Sequence, residues 1–166
     1  MGVKLRVYLD TSIINFMFAN DAPEKMEITK DFFHAHVRLG LVDVYISGVV
    51  MDEISQTKDN VRQERLLNVI REYHLPLLPV EREEEIELLA HDYIRNGVIP
   101  RRKLNDALHV AMSTVFEMDV LVSWNFRHLA NIEQERRIVV VNQMNGYYYP
   151  LRLATPLEVM NDENKS

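Results

Sequence analysis

The chain has 166 residues, 47% of them hydrophobic, no cysteine and a formal charge of −6. This is the size and apolar fraction of one folded domain with a substantial core, and the missing cysteine excludes disulfides, thiolate metal sites and a cysteine nucleophile. The acidic balance repels a polyanion on average, so a nucleic-acid site has to be built from locally clustered arginine and lysine and from bridging cations.

The opening residues MGVKLRVYLD enter an apolar strand and reach Asp10 too soon for the apolar run and cleavage region of a signal peptide. No stretch is long and apolar enough to span a bilayer. With no cysteine, these features lead to the expectation of a soluble, cytoplasmic protein. Short apolar runs alternate with longer helical patterns, the rhythm of an α/β protein with a parallel sheet. Strands are expected at residues 5–9, 44–47, 75–80, 120–123 and 138–141, and helices at 24–39, 49–55, 60–73, 81–96 and 104–118. The last helix is the clearest, because Leu104, Ala107, Leu108, Ala111, Met112, Val115 and Met118 follow the i, i+3, i+4 repeat. Gly146 and the tyrosines after it read as an irregular edge element with no evident role. The expected organisation is one domain over residues 1–160, followed by a polar tail at 161–166.

Ligands of open α/β sheets gather beyond the carboxyl ends of the strands, so polar residues that close apolar strands are the first to inspect. Asp10 closes VYLD and is followed by Thr11 and Ser12; alone, it reads as a functional acid before it reads as a helix cap, the bland alternative. Glu53 follows the second strand in SGVVMDEIS, with Asp52 as a competing acid and a solvated helix surface as the bland alternative. Asp106 opens the clearest helix in KLNDALHVAMS, where it would also favour the positive helix end. Taken together, the three fall at the same end of the sheet. Carboxylates drawn together repel unless protons or cations neutralise them, and hard divalent cations such as Mg²⁺ or Mn²⁺ prefer oxygen ligands. Asn125, in LVSWNFRHL, reaches the same edge without charge; it could position water, or simply form a turn.

These segments resemble the PIN-domain nucleases, from YLDTSIINF through VVMDEIS and LNDALHVAMS to LVSWNFRHL and the late TPLEV. The resemblance covers nearly the whole chain, and its strength lies in the order and spacing of motifs that are individually weak. It implies a three-layer αβα sandwich around a parallel sheet of about five strands. It also implies divalent-metal binding by Asp10, Glu53 and Asp106, a supporting hydroxyl at Ser12, and endonucleolytic cleavage of RNA. Many relatives are toxins of VapC-like toxin–antitoxin pairs, which implies a homodimer and a small antitoxin partner. One departure stands out: where many relatives carry a further aspartate, this chain has Asn125.

Arg101, Arg102 and Lys103 precede Asp106, and Arg127 and His128 follow Asn125, so two basic clusters are expected beside the acids as phosphate contacts. Each also reads as a solvated basic loop. Trp124 is expected to pack. His109, three residues beyond Asp106, is expected to be a satisfied, partly buried histidine outside the metal set. Phe32, Phe33 and Tyr73 could form core or a dimer face. Two other functions fit less of the sequence. One is a catalytically silent RNA- or partner-binding module. The other is a haloacid-dehalogenase-type phosphatase, which would want an aspartate where Ser12 stands.

Overall fold

The computed structural model describes residues 2–125 and 132–163. Its strands are β1 (Arg6–Leu9), β2 (Asp43–Tyr45), β3 (Val120–Val122) and β4 (Arg152–Ala154). They form one sheet in the order β2-β1-β3-β4, and every pairing is parallel. Successive strand residues point to opposite faces, and both faces are apolar. Val7 and Leu9, with Val44, Val120 and Val122, belong to one core; Tyr8, Leu121 and Leu153 belong to the other.

The first core is covered by α1 (Thr11–Asn15), α2 (Pro23–Asp31), α3 (Gly48–Ser55), α4 (Asn60–Glu72) and α8 (Pro156–Glu163). The second is covered by α5 (Glu83–Arg95), α6 (Leu104–Val115) and α7 (Ile132–Met144). The result is the expected αβα sandwich. Among the described residues, no helix is long and apolar enough to cross a membrane.

Local chemistry sets several of the boundaries. Pro23 occupies the first turn of α2, where its missing N–H has no intrahelical partner to lose. The expected 24–39 helix widens after Asp31 into a π-helical turn, Phe32–Val37. Phe32 and Phe33 there are fully buried and Tyr73 nearly so, which makes them core rather than a dimer face. After α5, Gly97 takes a φ of +70°, the left-handed conformation that ends helices. A capping box opens α8: Thr155 Oγ1 accepts from the Glu158 N–H at 3.2 Å, and Glu158 Oε1 accepts from the Thr155 N–H at 3.1 Å.

Among the described residues the sheet has four strands rather than about five, and two expected strands are corrected. Residues 138–141 lie inside α7, although Ile-Val-Val-Val has the β-branched composition of a strand. Ile138, Val141 and Asn142 face the core at helical spacing, while Val140 is exposed. Tyr93 donates a 2.5 Å hydrogen bond to Asn142 Oδ1, and Asn142 Nδ2 donates to Thr114 Oγ1 at 3.1 Å. This buried network ties α7 to α5 and α6, so tertiary contacts override local propensity. Residues 75–80 contribute only a single parallel bridge, Leu77 to Ile46, beside β2. The remaining strand position is β4, whose Arg-Leu-Ala is too short and too little β-branched to read as a strand.

Candidate active site

β1 delivers Asp10 to the carboxyl edge of the sheet, and β3 delivers Ser123 beside it; the Asp10 N–H donates to the Val122 carbonyl at 3.3 Å. Asp10 is 0% exposed. Its Oδ1 accepts from the Ser12 N–H at 3.0 Å and from Ser12 Oγ at 2.5 Å, and its Oδ2 accepts from Ser123 Oγ. The contact to the Ser12 N–H is the N-cap of α1, so Asp10 does cap a helix. Capping uses one lone pair, however, and gives no reason to bury a carboxylate completely. The two serines are themselves oriented from behind: Ser12 Oγ accepts from the Trp124 N–H at 2.9 Å, and Ser123 Oγ from the Asn125 N–H at 3.0 Å.

Glu53 sits on α3, whose N-cap is Ser47, accepting from the Val49 N–H at 3.2 Å. Val50 and Ile54 bury one side of this helix and leave Glu53 half-buried beside them. Its Oε1 accepts from Thr11 Oγ1 and from His109 Nε2, each at 2.7 Å. A carboxylate only accepts, so Nε2 carries the proton. His109 is 1% exposed on α6, and its Nδ1 lies 2.6 Å from the Tyr8 hydroxyl, which lies 2.6 Å from Ser47 Oγ. The chain Glu53–His109–Tyr8–Ser47 thus closes on the cap of the helix it started from.

Asp106 stands half-buried in the first turn of α6. Burial raises the Asp10 carboxyl above the ordinary carboxylate range; His109 and the two serines oppose this, and the charge of Asp106 adds to it. Burial likewise raises Asp106, opposed by His109 and Lys103 and reinforced by Glu53. For Glu53, burial pushes upward, but the bond and charge of His109 and the Thr11 bond bring it below the ordinary value. The three acids therefore share one electrostatic neighbourhood, in which Asp10 repels Asp106 and Asp106 repels Glu53.

Their donors are hard oxygens, the set that suits Mg²⁺ or Mn²⁺, and a dication would relieve both repulsions. In that chemical sense the residues fit a metal. Among the described residues, no three His, Asp or Glu side chains are grouped so that one ion is held by all of them. Glu53 faces Thr11 and His109 instead.

The other expected site residues are placed unevenly. Ser12 is in the centre of the site. Asn125 is exposed, and its backbone N–H fixes Ser123. Arg101, Arg102 and Lys103 form an exposed 3-10 turn that leads into α6. Arg127 and His128 lie outside the described residues. Trp124 is half-buried, its Nε1 donating to Thr29 Oγ1 at 2.9 Å, with Lys25 Nζ 5.4 Å from the ring centroid.

Four contributors, Tyr8, Thr11, Ser47 and His109, were not in the expected site, and Ser123 was expected only at the sheet edge beside Asn125. His109 did carry a signal: a polar side chain within the apolar stripe of α6, one turn from Asp106. Tyr8 and Ser47 carried none, because their partners are 101 and 39 residues away from Tyr8 in sequence.

No protein-family model matches the chain, and no curated protein matches it. Among solved structures it is similar to a chain of VapBC2 from Rickettsia felis, determined bound to a DNA fragment from the promoter. The TM-score is 0.55 at 16% sequence identity, over 91% of this chain and 98% of that one. At this identity the likeness is one of fold.

Proposed function

We propose that this chain is a divalent-metal-dependent endoribonuclease that hydrolyses RNA phosphodiesters. The observation that carries the reading is the fully buried Asp10, clasped by Ser12 and Ser123 and sharing its field with Asp106 and Glu53. A buried, cation-seeking carboxylate at the carboxyl edge of a parallel sheet is a poor structural element and a good ligand position.

Asp10, Asp106 and Glu53 would hold Mg²⁺ or Mn²⁺. When bound, the ion supplies an acidified water and neutralises charge on the phosphodiester. Ser12 and Ser123 keep the Asp10 oxygens in place through donors that are fixed by the backbone behind them. His109 and Thr11 hold Glu53 ionised. Asn125 offers an uncharged amide at the mouth, and Arg101, Arg102, Lys103, Arg127 and His128 are the proposed phosphate contacts. The fold likeness to a VapBC2 chain supports the further reading of a toxin that dimerises and is restrained by a small antitoxin; the cytoplasm is the proposed place of action.

The test is cleavage of single-stranded RNA by the wild type and by Asp10→Asn, with and without added Mg²⁺ or Mn²⁺. Cleavage that requires the metal and is lost in the variant is expected. Equal cleavage by both proteins overturns the assignment.

One observation favours a second reading, a catalytically silent RNA- or partner-binding module: Glu53 is engaged by Thr11 and His109 rather than grouped with the other two acids. Calorimetry with Mn²⁺ separates the two. Binding that disappears in Asp10→Asn supports the nuclease; no binding together with intact RNA affinity supports the silent module.

A further inference from the structure

The last turns of α5 and the turn before α6 enclose a groove of about 670 Å³, lined by His91, Ile94, Arg95, Arg101 and Leu104. Its lining combines the basic residues His91, Arg95 and Arg101 with the apolar Ile94 and Leu104. The chain has 25 acidic and 19 basic residues, so an arginine without an acidic partner is a charge left available for something else. Among the described residues, the side chains of Arg101 and His91 have no hydrogen-bond or ion-pair partner. Arg95 pairs through Nη2 with Asp92, yet its side chain remains 77% exposed, and a guanidinium has five donors. Leu104 is 38% exposed although it opens α6, most of whose residues are buried, and it stands two residues before Asp106.

We propose that this groove is a nucleotide subsite for single-stranded RNA, in which Arg95 and Arg101 hold phosphates and one unpaired base lies on Ile94 and Leu104. The identity of the strand rests on the nuclease reading; the groove and its chemistry do not. Arginine matches phosphate because its planar fork donates two parallel hydrogen bonds to an oxyanion. Apolar side chains in the same groove as two such groups suit the face of a base, the part of a nucleotide that a duplex hides and a single strand offers. An acidic peptide would satisfy the arginines but leave Ile94 and Leu104 unused. The position also suits a strand passing the acids: α5 packs along α6, and the groove adjoins the turn that leads to Asp106.

The experiment is fluorescence anisotropy with a labelled ten-nucleotide oligouridylate in EDTA, so that binding is read without cleavage. The double variant Arg95→Glu/Arg101→Glu should bind at least about 10-fold more weakly. Its plot of log K against log salt should be shallower by roughly 1.4, the loss of two single-strand phosphate contacts at about 0.7 each. Leu104→Ala should weaken binding with the salt slope unchanged. Arg62→Glu on α4 carries one of the same charge changes elsewhere, and thermal melting of each variant confirms that it folds. Wild-type affinity and slope in the double variant overturn the proposal. So does a loss per charge no greater than that of Arg62→Glu, as does equal affinity for duplex RNA or equal competition by oligoglutamate. The two readings fail separately. Groove-dependent binding without metal-dependent cleavage sinks the nuclease alone, and cleavage with an unchanged KM in the double variant sinks the subsite alone.

Discussion

His109 Nε2 lies 2.7 Å from Glu53 Oε1, and through Tyr8 and Ser47 the same imidazole is tied to the N-cap of the helix that carries Glu53. One buried ring therefore sets both the direction and the charge of the acid. The bond also explains why Glu53 sits below its ordinary value while Asp10 and Asp106, also buried, sit above theirs.

His109→Phe is expected to remove that control. It leaves the Tyr8 hydroxyl and Glu53 each short of a partner, at a stability cost of about 1–3 kcal/mol by urea unfolding. Mn²⁺ affinity should fall about 10–100-fold, the usual effect of losing a group that orients a ligand. In the wild type the lowered Glu53 contributes stability that is present above 4.5, its ordinary value, and lost as pH falls below it. In His109→Phe burial acts unopposed by the imidazole, so the acid limb of Mn²⁺ binding should move to higher pH. His109→Gln, which keeps a donor, should restore part of the affinity. An unchanged acid limb in the Phe variant would show that His109 only fills space.

Asp10→Asn is expected to melt at or above the wild-type temperature while abolishing metal-dependent cleavage. A raised folded-state value means that the contribution of Asp10 is fully present below 3.8, the ordinary value, and is lost as pH rises from there through the raised folded-state value, so the buried anion is a burden at neutral pH. Asparagine keeps an acceptor for the Ser12 N–H and carries no charge. The melting difference in its favour should grow between pH 4 and pH 7. Asp10→Ala, which loses the cap, should be less stable than Asp10→Asn by about 0.5–2 kcal/mol. A wild type that melts above Asp10→Asn at pH 7 would mean that the ionised carboxylate stabilises the fold.

Tyr93→Phe tests the network that holds α7. It leaves Asn142 Oδ1 without its 2.5 Å donor in a site where Asn142 is 2% exposed. A loss of about 1–3 kcal/mol with an unchanged urea m-value is expected. A loss below about 0.5 kcal/mol would show that the hydroxyl contributes nothing beyond its ring.

At high pH the expected weak point is Tyr147. Its hydroxyl donates to Glu85, which also pairs with Arg82 at 2.6 Å. Burial, reinforced by the bond to Glu85, pushes the phenol up to about 12. The stability it contributes is fully present below 10.0, the ordinary value, and lost as pH rises from there to about 12. Urea unfolding of Tyr147→Phe across that window should show a shallower decline than the wild type. Parallel declines would place the alkaline loss elsewhere, with the buried Tyr8 and Tyr93 next in line.

By itself the sequence determined the α/β class and most of the helices, and it singled out three acids as candidates, because these depend on local facts. Apolar periodicity marks a helix, and an acid directly after an apolar strand is placed at the sheet edge by the strand itself. Wherever the deciding contact was distant, the sequence was silent or misleading. The run at 138–141 has strand composition, yet Asn142 finds Tyr93 49 residues away and the segment is helical. Arg152–Ala154 has little strand character, yet pairing with Val120–Val122 makes it one. Tyr147 and Tyr149 lie in a segment without an evident role, but they clasp Glu85 and Asp119. The site follows the same division. Asp10, Glu53 and Asp106 could be named from their own neighbourhoods; only the folded chain decided that Ser123 clasps the first and that His109 holds the second. A hydrogen bond between residues 56 positions apart leaves no periodicity to read.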